Sequence, residues 1–429
     1  MLRQRLVSGA ALGLCCAAIS GCQLSAPDST GDGLKLGTLL PITGDLAQYG
    51  TPMQETANLL IKTVNACDGV LGKPVTLISA DTQTDPAQGT QAMTKLVEAD
   101  QVVGVVGAAS SASSSAALPI AVRGQVVQIS PASTSPVFTE RAEKGEFEGF
   151  WARTAPPDTF QSQALAQLAK QKGYKSVAIL AINNDYGNGL VSAFIPAFKA
   201  MGGTVVNETR PTFYDPNTST FDTEVNQVFK GQPDAVLLVS YPETGSLILK
   251  SAQELGFLDG NTALITTDGM KETSLADLVG KNAQGEYLVS GMLGTAPSAG
   301  GPALVAFQKR YQDAFQREPS VFDPNTWDAT ALLVLAAEAA KEPTGTGIRE
   351  QLQAVANAPG EEVTDVCEAL ALLREGKTIN YQGASGTVDL NPQGDVTGSY
   401  DIWSIDDQGK LQVNDTIEIT GADAATPPE

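Results

Sequence analysis

No histidine occurs anywhere in the 429 residues. That absence removes every mechanism built on imidazole: Ser-His-Asp and Cys-His nucleophiles, and any metal held by histidine. The chain also lacks a G-x-x-x-x-G-K-[ST] loop, so it is not equipped to hydrolyse ATP. Beyond the N-terminus no stretch is long and apolar enough to span a bilayer, although residues 329–340 are apolar. Basic residues are scarce: 27 Lys and Arg against 48 Asp and Glu leave a formal charge of −21. Such a surface argues against nucleic acid or an anionic membrane as partner. No short fixed period recurs, so a solenoid is not expected. What the chain does have is core material, 42% hydrophobic against 17% charged residues, over a length suited to about two or three domains. No local pattern places two carboxylates at a common strand edge, so a carboxylate hydrolase is unsupported. The expectation is a protein without catalytic residues, metal or cofactor.

The first 21 residues read as an export signal: Arg3 and Arg5 precede an apolar run over 6–19 that is too short to cross a membrane. The ending Ile19-Ser20-Gly21-Cys22 resembles a bacterial lipobox, which implies cleavage before Cys22 and a lipid on its sulfur. Residues 22–33 are polar and rich in Gly, Pro and Ser, as a tether would be. Of the five cysteines, Cys15 and Cys16 leave with the signal and Cys22 is spent on lipid. Cys67 and Cys367 remain, an even pair in an exported chain, and a disulfide is expected between them, with two separate buried thiols as the alternative. Such a bridge ties an early helix to a late one and brings chain near the C-terminus back to the first domain.

The body alternates short β-rich runs with longer amphipathic ones. Strands are expected at 34–40, 75–80, 102–107, 126–129, 177–182, 204–208, 235–240, 263–267 and 287–290. Helices are expected at 51–66, 86–99, 160–172, 189–201, 242–255, 304–315 and 326–341; Asp85-Pro86 is a sound helix start. Near-continuous Val, Ile and Leu in strands that alternate with helices implies parallel sheets covered on both faces. The units exceed what one compact sheet holds, and the series breaks at 153–157 and at 291–302. An α/β fold of two Rossmann-like lobes with several crossings follows: 34–154 with 295–395, and 155–294 with 396–420, before a disordered tail at 421–429. Late segments at 383–390, 398–405 and 410–419 alternate in polarity and read as antiparallel edge strands.

In open parallel sheets ligands bind beyond the carboxyl ends of strands. There the sequence places Tyr49, the serine cluster beginning Ser110-Ser111, the run Ala132-Ser133-Thr134, and then Tyr186, Tyr241 and Asp268. Serines at a helix N-terminus offer N–H groups, hydroxyls and a positive dipole end, which suits a carboxylate. Asp268 offers the charge an ammonium needs, with the Ala132 carbonyl and the Thr134 hydroxyl as further acceptors. The three tyrosines supply walls with apolar faces and polar tips. Each element alone has a duller explanation, a helix start, a turn or a packing residue; together at one edge they describe an α-amino acid.

LLPITGDLAQYG (39–50), VVGAASSASS (105–114), ISPASTSP (129–136), NNDYGNG (183–189) and DAVLLVSYPETG (234–245) resemble, in order, the branched-chain amino-acid-binding proteins of bacterial ABC importers. The similarity runs from about Leu34 to Leu411. It implies the type I periplasmic binding fold, with two lobes joined by a three-segment hinge. It also implies Ser111 on a ligand carboxylate, Ala132 and Thr134 on the α-carbon groups, Tyr49 near the ligand side chain, and Tyr186 and Tyr241 from the second lobe. Asp268 falls where the family often has a glutamate for the ammonium. The family's first-lobe disulfide is unmatched, since Ser110 stands beside Ser111. The implied partners are a free amino acid, a membrane permease and, through the lipid, the outer face of the membrane. Urea, short amides or another small solute, or a signalling receptor in place of the permease, are the alternatives.

Overall fold

A computed structural model describes residues 33–258 and 261–419. The export signal, the lipidation site Cys22, the tether up to residue 32 and the tail at 421–429 lie outside the described residues.

The strands form two main sheets. The first runs in the order β2-β1-β3-β4-β5, all parallel, from β1 (Lys35–Leu40), β2 (Thr76–Asp81), β3 (Gly104–Gly107), β4 (Val127–Ser130) and β5 (Trp151–Arg153). The second takes β6 (Ser176–Ile182), β7 (Thr204–Val205), β8 (Thr212–Tyr214), β9 (Ala235–Val239), β10 (Ala263–Thr266) and β11 (Leu293–Pro297). A small pair follows, β12 (Glu361–Val363) with β13 (Ile379–Tyr381), before β14 (Tyr400–Ile405) and β15 (Leu411–Ile417) return to the second sheet. That sheet is ordered β15-β14-β11-β10-β9-β6-β7, with β8 also on β6; β14 and β15 are antiparallel and the rest parallel. Strands such as SVAILAI and AVLLV are buried almost throughout, as strands roofed by helices on both faces must be. The helix Pro86–Thr94 starts as expected, with the Asp85 carboxylate accepting from Gln88 N–H at 2.7 Å.

The chain crosses between the two lobes three times: after β5, after β11 and before β14. The helices Leu304–Phe315, Asp323–Ala340, Gly345–Ala356 and Val366–Arg374 thereby join the first lobe, and Asp323–Ala340 is buried almost along its length in that core. This accounts for the apolar run at 329–340. Among the described residues no helix is long and apolar enough to cross a membrane.

Cys67, at the end of the helix Ala47–Ala66, is bridged to Cys367 in the helix Val366–Arg374, with Cα atoms 5.8 Å apart. Arg374 donates to the carbonyls of Cys67 and Gly69 at 3.1 and 2.6 Å, and Glu338 accepts from Leu71 N–H at 2.7 Å. Polar contacts therefore hold the same corner independently. Replacing both cysteines by serine is expected to cost about 2–4 kcal/mol in urea unfolding; an unchanged midpoint would show the bridge to be dispensable.

Three expectations are corrected. Tyr287 makes only an isolated bridge to Lys281 and residues 288–290 lie in turns, and the strand is β11, inside the segment that reads as a Gly/Pro-rich break. Its composition is set by a neighbour: Trp403 of β14 packs so closely that a Cβ on Gly294 would lie 2.4 Å from the indole. Residues 383–390 form no strand. Their backbone is satisfied by a carboxylate, as Ala384 N–H and Ser385 N–H donate to Asp328 at 2.9 and 2.7 Å. Arg153, read as part of a break, ends β5. The short strand β8 and the helices Asp222–Phe229 and Gly345–Ala356 are also present without having been expected, and the late helix implied for Cys367 is Val366–Arg374.

Candidate ligand-binding site

Each parallel sheet reverses its strand order once, between β1 and β3 in the first lobe and between β6 and β9 in the second. At such a reversal the following loops part in opposite directions and leave a crevice at the strands' carboxyl ends. Tyr49 and Ser110-Ser111 follow β1 and β3, while Tyr186 and Tyr241 follow β6 and β9. The two crevices face each other and enclose a small cavity of about 30 Å³. Tyr49, Ser110, Ser111, Ala132, Tyr186, Tyr241 and Asp268 line it, so seven of the nine expected ligand residues meet in one place.

The walls are aromatic. Tyr186 and Tyr241 stack with ring centroids 5.8 Å apart and planes 8° from parallel, and Tyr49 meets Phe322 edge-on at 6.2 Å. The Tyr49 hydroxyl reaches across the cleft to the carbonyls of Asp268 and Gly269 at 3.5 and 3.4 Å. Burial pushes all three tyrosine hydroxyls up in pKa, so they remain protonated donors at neutral pH.

The serine cluster divides its work. Ser110 caps the helix Ser111–Arg123, its Oγ accepting from Ser113 N–H at 3.2 Å. Ser111 Oγ accepts from Ser135 N–H at 3.3 Å and faces the cavity. Ser133 does not line the cavity: its hydroxyl lies under the loop, 3.2 and 3.1 Å from the carbonyls of Ala108 and Ala109 and 2.8 Å from Ser114 Oγ. It shapes the site from behind. Thr134 is absent from the lining as well, yet its buried hydroxyl has no hydrogen-bond partner.

Behind Thr134 stands a residue that the sequence analysis missed. Asp158 opens the helix Asp158–Gln171, and its N–H donates to the Thr134 carbonyl at 2.8 Å. Its side chain is fully buried, and neither carboxylate oxygen has a donor. Asp268 is also buried, receiving the Tyr186 hydroxyl at 3.2 Å. Burial pushes the Asp268 carboxyl up to about 6, against the pull of Gln161 and Tyr186. Burial and then the neighbouring Asp268 push Asp158 well up, against the pull of the nearby Thr134 hydroxyl, which falls short of hydrogen-bond geometry, and of Arg153. The nearby cations are engaged elsewhere. Arg153, fully buried, pairs with Asp395 at 2.6 Å and donates to the carbonyls of Ser133 and Ser135 and to Thr139 Oγ1. Lys271 pairs with Asp401 at 3.3 Å. Asp268 thus lines the cavity opposite the helix N-terminus at Ser111, and the donor-poor carboxylate of Asp158 is buried behind Thr134. Buried carboxyls in this state either hold a proton or can accept from a cation with N–H donors. Among the described residues no cluster could hold a metal ion.

Leu46, Met53, Ala109, Gly269 and Phe322 complete the lining. Leu46 and Met53 carry a signal only in their nearness to Tyr49. Asp158 directly follows the stretch that reads as a break at 153–157 and precedes the helix expected from 160, so no local pattern singles it out.

A family profile described as the receptor family ligand binding region matches residues 52–408. The chemotactic signal transduction system substrate-binding protein BasB of Halobacterium salinarum is 25% identical over 386 residues, 88% of each chain. The Leu/Ile/Val-binding protein homolog 3 of Brucella melitensis is 25% identical over 380 residues, 88% of this chain and 92% of that one. Among solved structures, the leucine-binding protein LivK of Thermotoga maritima matches with a TM-score of 0.74 and 25% identity, over 90% of this chain and 98% of that one.

Proposed function

The chain belongs to the receptor family of ligand-binding regions and has the type I periplasmic binding fold, and from that premise we propose that it captures an α-amino acid between its lobes and delivers it to an ABC permease. The observation that carries this reading is the pair of buried carboxylates, Asp158 and Asp268, without a cation of their own. They stand across a closed cleft from the first turn of the helix Ser111–Arg123. A zwitterion satisfies both ends at once: its ammonium lies between the acids and the Thr134 hydroxyl, and its carboxylate takes the Ser111 hydroxyl and the free N–H groups of the helix. Its side chain lies among Tyr49, Met53, Phe322 and the stacked tyrosines, an apolar wall that suits neutral residues. In the open form the first lobe holds the carboxylate. Closure then adds Tyr186, Tyr241 and Asp268 and excludes water, which strengthens each charged contact.

In this proposal the protein is exported, and a lipid on Cys22 keeps it at the outer face of the membrane beside its permease. A second reading keeps the same ligand and changes the listener: the likeness to a chemotactic substrate-binding protein supports a receptor that senses closure.

Residues from Gly33 onward form one compact unit with their own cores. Calorimetric titration of the chain from residue 23 against the common amino acids, urea and acetamide is therefore expected to give micromolar affinity for neutral amino acids and none for the amides. Affinities no better than millimolar for every amino acid would sink the proposal.

A further inference from the structure

Closure requires the lobes to meet outside the cavity as well as across it. At one contact the Ser135 hydroxyl of the first lobe donates to the Asp185 carbonyl at 2.8 Å, at the start of the second-lobe helix Asp185–Ala200. At the other, the Thr244 hydroxyl of the second lobe donates to the Asp45 carboxylate of the first at 2.9 Å. One contact adjoins Thr134 and Tyr186 and the other Leu46 and Tyr241, while the contact residues themselves, Ser135, Asp185, Asp45 and Thr244, do not line the cavity.

The first contact has a tight steric condition. In the early turns of the helix that meets Ser135, the chain has the half-buried Gly189. A Cβ there would lie 2.5 Å from Ser135 Oγ and 2.8 Å from Pro136 Cδ. Gly189 has ordinary helical geometry, so backbone conformation does not demand glycine. In a helix, glycine costs about 0.5–1 kcal/mol relative to alanine. The missing side chain is thus explained by the surface it presses on, and that surface belongs to the other lobe.

We propose that Gly189 is the seat of lobe closure: its bare Cα lets the second lobe settle on Ser135 and Pro136, and any side chain there holds the lobes apart. Gly189 acts as a positioning residue and touches no ligand. Asp45 and Thr244 form the companion latch. The inference rests on the two-lobe capture reading, but its test uses no ligand, so it does not depend on which solute is bound.

The test is a cross-link. In the chain from residue 23, the pair D45C/T244C replaces the latch with two thiols whose parent side chains touch. Under mild oxidation without ligand the pair is expected to cross-link, as read by mass spectrometry of unreduced peptides. Adding G189V is expected to slow cross-linking at least tenfold while leaving the thermal midpoint within about 2 °C, since valine is tolerated on a helix at least as well as glycine. If the valine variant fails to fold, G189A carries the test, with an expected slowing of at least threefold. Equal rates with and without the added side chain overturn the proposal. Failure of D45C/T244C to cross-link at all overturns it too.

Discussion

Asp268→Asn is expected to weaken amino-acid binding by about 2–5 kcal/mol, roughly thirtyfold to several thousandfold, because it strips the ligand ammonium of a buried charged partner. The same substitution is expected to raise the thermal midpoint of the empty protein. Burial holds this carboxyl up to about 6, so at pH 7 the empty native state carries a charge that costs it stability relative to the unfolded chain. The sign follows from proton counts. Between the ordinary value of 3.8 and about 6 the native carboxyl keeps a proton that the unfolded chain releases. Stability of the empty protein therefore falls as pH rises through that window, and Asp268→Asn flattens the slope. Affinity moves the other way: it weakens as pH drops below about 6, where the carboxyl is neutralised. Titrations at pH 5 and 8, paired with thermal scans, separate the two effects. A variant that loses affinity and stability together would mark Asp268 as a packing residue instead. Asp158→Asn is expected to behave alike, since both of its oxygens are buried without donors.

Arg153→Met is expected to destabilise the fold by about 3–5 kcal/mol, the usual result of removing one member of a buried ion pair. The guanidinium is fully buried, and its loss strands the Asp395 carboxylate at 2.6 Å and the carbonyls of Ser133 and Ser135 at 3.1 and 2.9 Å. Lysine is not a substitute, because a single ammonium lacks the planar fork that reaches Asp395, the two carbonyls and Thr139 together. Urea unfolding with an unchanged m value and a lowered midpoint measures the effect. A change below about 1 kcal/mol would place Arg153 with surface pairs such as Lys309–Asp313, which are largely exposed and worth little. The carbonyls it holds flank Thr134, so ligand affinity is expected to fall in any Arg153 variant that still folds.

The strands that carry the site were legible because they are buried on both faces. Nothing but aliphatic residues suits SVAILAI or AVLLV in that position, and the polar residue that ends each run marks the carboxyl end of a strand. The helix at Pro86 was legible because its cap is local, one acid and one proline adjacent in sequence. β11 was not, since its glycine answers to Trp403, more than a hundred residues away in the chain. The irregular backbone at 383–390 answers in the same way to Asp328.

The site divides along the same line. Chain order by itself determined that Tyr49, Ser111, Ala132, Tyr186, Tyr241 and Asp268 stand at strand ends, because alternation of strand and helix puts every such loop at the same edge of its sheet. Only the tertiary structure decided which of these side chains face the cleft. Ser133 turns under its loop while Thr134 stays unpartnered, and Asp158 is left without a paired cation because Arg153 is already held by Asp395. The physical reason is that burial and charge balance belong to the whole assembly of neighbours. Whether a buried carboxylate is left without a protein cation is settled only once distant segments have packed together.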